Sequence, residues 1–211
     1  METTENLNEN KFVKIYNNNK AIILSSVISL LIILVSFAFY FEGKKKKNLV
    51  LSEKYIVAKI YLAQAKKSEA KDILKEIIFS NSSTYSTLSL FLILENNLID
   101  NKDELLILFD HILENNKLEK EIKNLFIYKK ALFMSDNISE SNLIVVTRDL
   151  INTETLWKPH ALLLLGDFFA SRKESRKAEE FYGKILSLKN LNKDMYDLAR
   201  SRILSISNGK N

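Results

Sequence analysis

Only two imidazoles, His111 and His160, occur in the chain, and there is no cysteine. A metal centre needs several donors converging at ligand spacing. Two isolated histidines supply no such set, so no metal site is expected. The absence of cysteine excludes disulfides, thiolate zinc sites, iron–sulfur clusters and cysteine nucleophiles. Serine hydrolase chemistry would need a nucleophile elbow, and no G-x-S-x-G is present. Gly43, Gly166, Gly183 and Gly209 stand apart, so no glycine-rich phosphate loop can form. The carboxylate groups Asp103–Glu104, Glu119–Glu121 and Glu179–Glu180 are interleaved with lysines and read as solvated helix faces. The residue types predict no enzyme, no metal and no cofactor.

The elements that would carry these side chains are helices. One Pro and four Gly in 211 residues leave few breakers, which favours an all-α fold over sandwiches and barrels. Residues 1–47 hold seven Lys and four Glu, leaving a net charge of only +2 on the remainder. A nucleic-acid surface needs a concentrated basic face. The balanced remainder offers none, so no nucleic acid is expected.

The longest uninterrupted apolar stretch is AIILSSVISLLIILVSFAFYF, Ala21 to Phe41. As a helix it rises roughly 30 Å, the thickness of a bilayer's hydrocarbon core. Lys20 bounds it on one side, and Lys44, Lys45, Lys46 and Lys47 on the other. It ends in bulky aromatics and not in the small-x-small site of a cleavable signal. An uncleaved single-pass anchor in contact with lipid is the expectation. The dense lysine run favours a cytoplasmic C-terminal domain, whereas a short N-terminal tail more commonly stays inside. Residue counting leaves the orientation open.

Beyond the lysines the chain reads as consecutive amphipathic helices. The first places Leu49, Ile56, Val57, Ile60 and Tyr61 on one face. The second begins at Ser68, with Ala70, Ile73, Leu74, Ile77 and Ile78 inward. Further helices are expected over about 84–96, 102–114 and 118–134. A sixth opens at Ser139 as N-cap with Leu143, Val146 and Leu150. Three more cover about 157–171, 174–188 and 192–207. The last carries Met195, Leu198, Ala199 and Ile203 on one stripe and suits a terminal cap. The expected organisation is a polar tail (1–20), a transmembrane helix (21–41), a basic linker (42–48), a helical repeat domain (49–207) and a disordered end (208–211).

A repeat lies in the pairs. In HALLLLGDFFASRKESRKAEEFYGKILSLKN, Gly166, Phe169, Ala178, Tyr182 and Ile185 follow the tetratricopeptide alternation of small and aromatic residues. Gly166 and Ala178 are expected to be small because two helices cross closely there, with Phe169 and Tyr182 filling the space beside them. Ala58, Tyr61, Ala70 and Leu74 stand at the same offsets, 108 residues earlier. That interval is about three repeats of 34–36 residues. About four helix pairs and a capping helix follow, a tetratricopeptide-like α-solenoid. The single Trp157 is expected to pack between the third and fourth pairs, and Phe168, Phe169, Phe181 and Tyr182 to form core.

A tail, one membrane helix and a degenerate repeat domain closing with W-x-x-x-A-x-x-x-x-G-D resemble the bacterial ancillary SecYEG translocon subunit (YfgM-like) family. The matching stretches are NSSTYSTLSLFLILENNLIDNKDELLILFDHIL and Trp157 to Ile185. The resemblance implies an inner-membrane protein with a periplasmic domain, contacting translocon subunits, emerging secretory chains or periplasmic chaperones. The flanking lysines argue for the other side. The alternatives are a scaffold for a division or outer-membrane assembly complex, or a cytoplasm-facing adaptor.

Overall fold

The computed structural model describes residues 3–136 and 138–208. Among them are nine α-helices and no strand: α1 (Thr3–Ala63), α2 (Lys67–Phe79), α3 (Tyr85–Glu95), α4 (Lys102–Asn115), α5 (Lys120–Met134), α6 (Glu140–Asn152), α7 (Lys158–Ser171), α8 (Ser175–Leu186) and α9 (Lys193–Asn208). The chain divides into two compact units, residues 1–56 and 57–211. The expected disordered end falls outside the described residues, except Asn208, which is helical.

The first unit is α1 up to Ile56. The polar tail is helical from Thr3, with a kink at Asn19 (φ −120°, ψ 19°). No Pro or Gly interrupts it. The basic linker is also helical: Gly43 and the four lysines sit inside α1. Lysine is a good helix former, and Lys46 pairs with Glu42 one turn back at 3.1 Å. The segment Asn19–Ala63 contains an 18-residue window of mean hydropathy 2.8 with no buried side chain. It is long and apolar enough to cross a membrane. Phe39 is 72 % exposed and Ile22 67 %.

The second unit is built from helical hairpins. Each of α2 to α9 packs on helices one or two places away along the chain, and the stack runs α2–α3, α3–α4 and so on to α8–α9. α2 buries Ala70, Leu74, Ile77 and Ile78, with Ile73 half-buried. α4 buries Leu105, Leu108, Phe109 and Ile112. In α6 Ser139 caps the first turn, accepting from the Asn142 amide, and Leu143, Thr147 and Leu150 are inside. The Thr147 hydroxyl donates to the Leu143 carbonyl at 2.8 Å, so it is buried at no polar cost.

Two expected faces are displaced. Along α1, Leu49, Ile56, Val57 and Ile60 are exposed and Tyr61 is half-buried. Within the second unit Ala58 is the fully buried residue of this stretch, with Tyr61 and Leu62 half-buried. Both faces are apolar, so periodicity could not choose between them. In α9 Leu198 points outward, while Met195 and Ala199 are buried and Ile203 is half-buried.

The hairpin turns recur in kind. Ala65 (φ 60°) follows α1, Asn97 (φ 46°) follows α3 and Lys173 (φ 62°) follows α7. In each, the next residue's amide bonds back five residues: Lys66 to Tyr61, Leu98 to Ile93, Glu174 to Phe169. This is the Schellman closure, here made without glycine. Ala65 and Lys173 are 108 residues apart, the same interval as Ala58 and Gly166, or Ala70 and Ala178. The repeat phase is therefore carried by the backbone as well as by the small side chains.

Candidate functional site

Gly166 sits in α7 under the ring of Tyr182 from α8. A Cβ at position 166 would lie 2.6 Å from Cδ1 and 2.9 Å from Cζ of that ring, and nearer still to Cε1. A close helix crossing was expected here with Tyr182 filling the space beside it, and the atoms a Cβ would meet are those of the Tyr182 ring. Tyr182 is fully buried, and its hydroxyl donates to Asp167 Oδ1 at 2.6 Å. Arg202 Nε from α9 reaches the same carboxylate oxygen at 3.0 Å. Asp167 thus ties three helices together. Burial, then the bond to Asp167, holds the Tyr182 phenol well above its ordinary range.

Around this knot Phe169 stacks on Phe181 at 5.4 Å with ring planes 4° apart, and meets Phe168 edge-on. Phe168, Phe169 and Tyr182 are buried; Phe181 is half-buried beneath the Lys184 ammonium. The Arg172 guanidinium lies 3.8 Å over Phe168 and donates to the Ile138 carbonyl. At the earlier repeat positions, Ala58, Ala70 and Leu74 are fully buried. Tyr61, the counterpart of Phe169, is half-buried.

The second cluster joins α5 to the loop before α7. Trp157 Nε1 donates to the Glu121 carbonyl at 3.0 Å, and its indole stacks on Tyr128 at 5.6 Å. His160 completes the aromatic group, 5.4 Å from Trp157 and 5.8 Å from Tyr128. The Glu121 carboxylate accepts from the Thr155 hydroxyl at 2.8 Å and the Leu156 amide at 3.2 Å. Asn124 donates to the same Thr155 hydroxyl. Burial, then the charge of Asp167, raises the Tyr128 phenol's pKa. Beside the cluster runs an open groove of about 490 Å³, floored by Leu156, Pro159, His160, Leu188 and Leu191 and rimmed by Lys189.

Two carboxylates assigned to solvated faces are otherwise engaged. Glu121 is half-buried and clamps the α6–α7 loop, and Glu104 pairs with Lys75 of α2 at 2.6 Å. A glutamate in a charged run carries no sequence signal that separates a clamp from a surface residue. His111 is on α4, with Nε2 2.7 Å from Asn81 Oδ1 and its ring against Phe79. Among the described residues no group of three or more His, Asp or Glu is placed to hold a metal. Lys20 and Lys44–Lys47 lie exposed along α1 at the two ends of the apolar stretch.

The arrangement can bind by shape, apolar contact and rim charge. Its polar pairs, Tyr182–Asp167 and Thr155–Glu121 among them, join one helix or loop to another. Comparison with protein-family models, curated proteins and solved structures yields no match.

Proposed function

We propose that the chain is a membrane-anchored protein–protein interaction module of the bacterial inner membrane, ancillary to the Sec translocon. In this reading α1 crosses the bilayer between Ala21 and Phe41. The repeat-like helices act as a tetratricopeptide-type surface for emerging chains or periplasmic chaperones. The observation that carries it is in α1: an apolar window of 18 residues with no buried side chain, on the same chain as a stack of helix pairs. Stacked pairs offer extended surfaces for other proteins. A tether raises the effective concentration of such a surface near a membrane partner. Lys44–Lys47 fit anionic headgroups, each worth on the order of 1 kcal/mol there. The translocon assignment rests on the family resemblance of the sequence.

Crosslinking in native membranes tests it. Enrichment of translocon subunits or secretory chains is the expected result; their absence sinks the translocon assignment. The four lysines favour a second reading, a cytoplasm-facing adaptor. A C-terminal alkaline phosphatase fusion is active only outside the cytoplasm, and a green fluorescent fusion exported by Sec is dark there. Phosphatase activity supports the first reading, and fluorescence the second.

A further inference from the structure

Gly183 sits inside α8, and a Cβ built on it meets nothing within 4 Å. Its φ is not positive, so no left-handed turn needs glycine there. Glycine in a helix interior weakens the helix relative to alanine. Over Gly183 lies a groove of about 510 Å³, walled by Ile151 of α6, Leu162 of α7 and Leu188 beyond α8. A missing side chain at such a place lets another molecule approach the helix closely.

This groove and the one of about 490 Å³ beside His160 share two lining residues, Lys158 and Leu188, so they are two halves of one furrow. Ile151, Leu162 and Gly183 floor the first half, and Leu156, Pro159 and Leu191 the second. Lys158 stands where the halves meet. Its side chain is only 17 % exposed, and its ammonium is held by Glu154 Oε1 at 2.7 Å. The Glu154 side chain is 92 % exposed. A cation set into the wall is therefore matched by a carboxylate that stands in solvent, and a pair so exposed is weak. Hydrogen bonding to Lys158, and then the charges of Lys158 and Lys189, hold the Glu154 carboxyl below its usual range. Two lysines thus converge on one displaceable carboxylate. Glu121, the other carboxylate lining the furrow, is taken up by the Thr155 hydroxyl and the Leu156 amide. Lys184 is taken up by Glu180 of its own helix.

We infer that the furrow binds an extended peptide of a partner protein, one that carries an acidic residue between two large apolar residues at alternate positions. The inference rests on the reading of the helix stack as a protein-interaction surface, and it names the kind of segment that surface takes. An extended chain sends every second side chain to one face. One apolar side chain enters each half of the furrow, and Gly183 leaves room for the first. The acidic side chain between them meets Lys158 in place of Glu154, which holds that position in the free protein.

Binding is measured by fluorescence anisotropy on the full chain in detergent. The probe is a labelled peptide with leucine, glutamate and leucine at alternate positions and serine elsewhere. One control carries glutamine for the glutamate, and another sets the two leucines side by side. Saturable binding of the probe, several-fold tighter than either control, is expected. Glu154→Gln removes the competing carboxylate and should tighten binding several-fold, a gain that a misfolded chain cannot give. Lys158→Met should weaken the probe several-fold and leave the glutamine control unchanged. Gly183→Leu fills the first half and should abolish most binding without lowering the urea midpoint read from Trp157, because leucine is the better helix former and nothing lies within 4 Å. No saturable binding, equal binding of the three peptides, or a Glu154→Gln chain that binds no more tightly overturns the inference. Crosslinking in native membranes separates it from the reading it rests on. Partners captured equally by Gly183→Leu leave the interaction surface standing and overturn the furrow. Peptide binding as expected, with no translocon or secretory partner captured, sinks the translocon assignment alone.

Discussion

An alanine at position 166 would place its Cβ 2.6 Å from Cδ1 and 2.9 Å from Cζ of Tyr182. Carbon atoms pack comfortably at about 3.5–4.0 Å, so the ring must retreat by on the order of 1 Å. It is not free to do so. The side chain is fully buried, and its hydroxyl is held at 2.6 Å by Asp167. Overpacking of this kind costs about 1–3 kcal/mol. Stretching the hydroxyl bond adds about 1 kcal/mol, and the better helix propensity of alanine returns roughly as much. The expected net loss for Gly166→Ala is therefore roughly 1–3 kcal/mol, and more for Gly166→Leu. Trp157, the only tryptophan, reports unfolding of this region by fluorescence as urea is raised on the full chain in detergent. The decisive arm is Gly166→Ala in a Tyr182→Leu background. With the ring gone, the substitution should stabilise, by about 1 kcal/mol. Equal effects in the two backgrounds would refute the claim that the ring is what position 166 accommodates.

Tyr182→Phe removes the hydroxyl but leaves Asp167 its Arg202 partner and water, so about 0.5–1.5 kcal/mol should be lost near neutrality. The phenol also predicts a pH limb. Its folded pKa is raised from 10.0, so the unfolded chain gives up the proton first. Stability is full below about pH 10 and falls as pH rises further. Urea midpoints measured into that range should show a slope that Tyr182→Phe flattens; an unchanged slope refutes the linkage. At the start of α4, the Asn101 side chain accepts from the Asp103 and Glu104 amides at 2.9 and 3.1 Å. Asn101→Ala should cost about 1 kcal/mol by thermal melting, and Asn101→Ser should recover most of it.

The all-helical character and the hairpin pairing were legible because helical periodicity is strong and breakers are few. The buried states of Ala58, Ala70, Leu74, Gly166, Phe169, Ala178 and Tyr182 follow from the same phase. Legibility failed where a helix is apolar on two sides, as along 49–62. There only tertiary packing selects Ala58 over Val57 and Ile60. It failed again at polar residues whose partners lie 15 to 36 positions away, such as Tyr182 with Asp167 and Trp157 with Glu121. Spacing within one helix says nothing about which distant carbonyl or carboxylate it will meet. In the N-terminal tail, low hydrophobicity argues against a packed core, not against a helix.

Among the described residues of the second unit, helices α2 to α9 touch only those one or two places away in sequence. Loop closure in such a chain is short at every step, so the entropic barrier to each new contact is small. A chain synthesised from its N-terminus can bury each hairpin before the next is made, without waiting for a distant strand or helix to complete a core. The growing end then always shows one unpaired apolar face. In the finished stack α9 covers the last of these, burying Met195 and Ala199 against what precedes it.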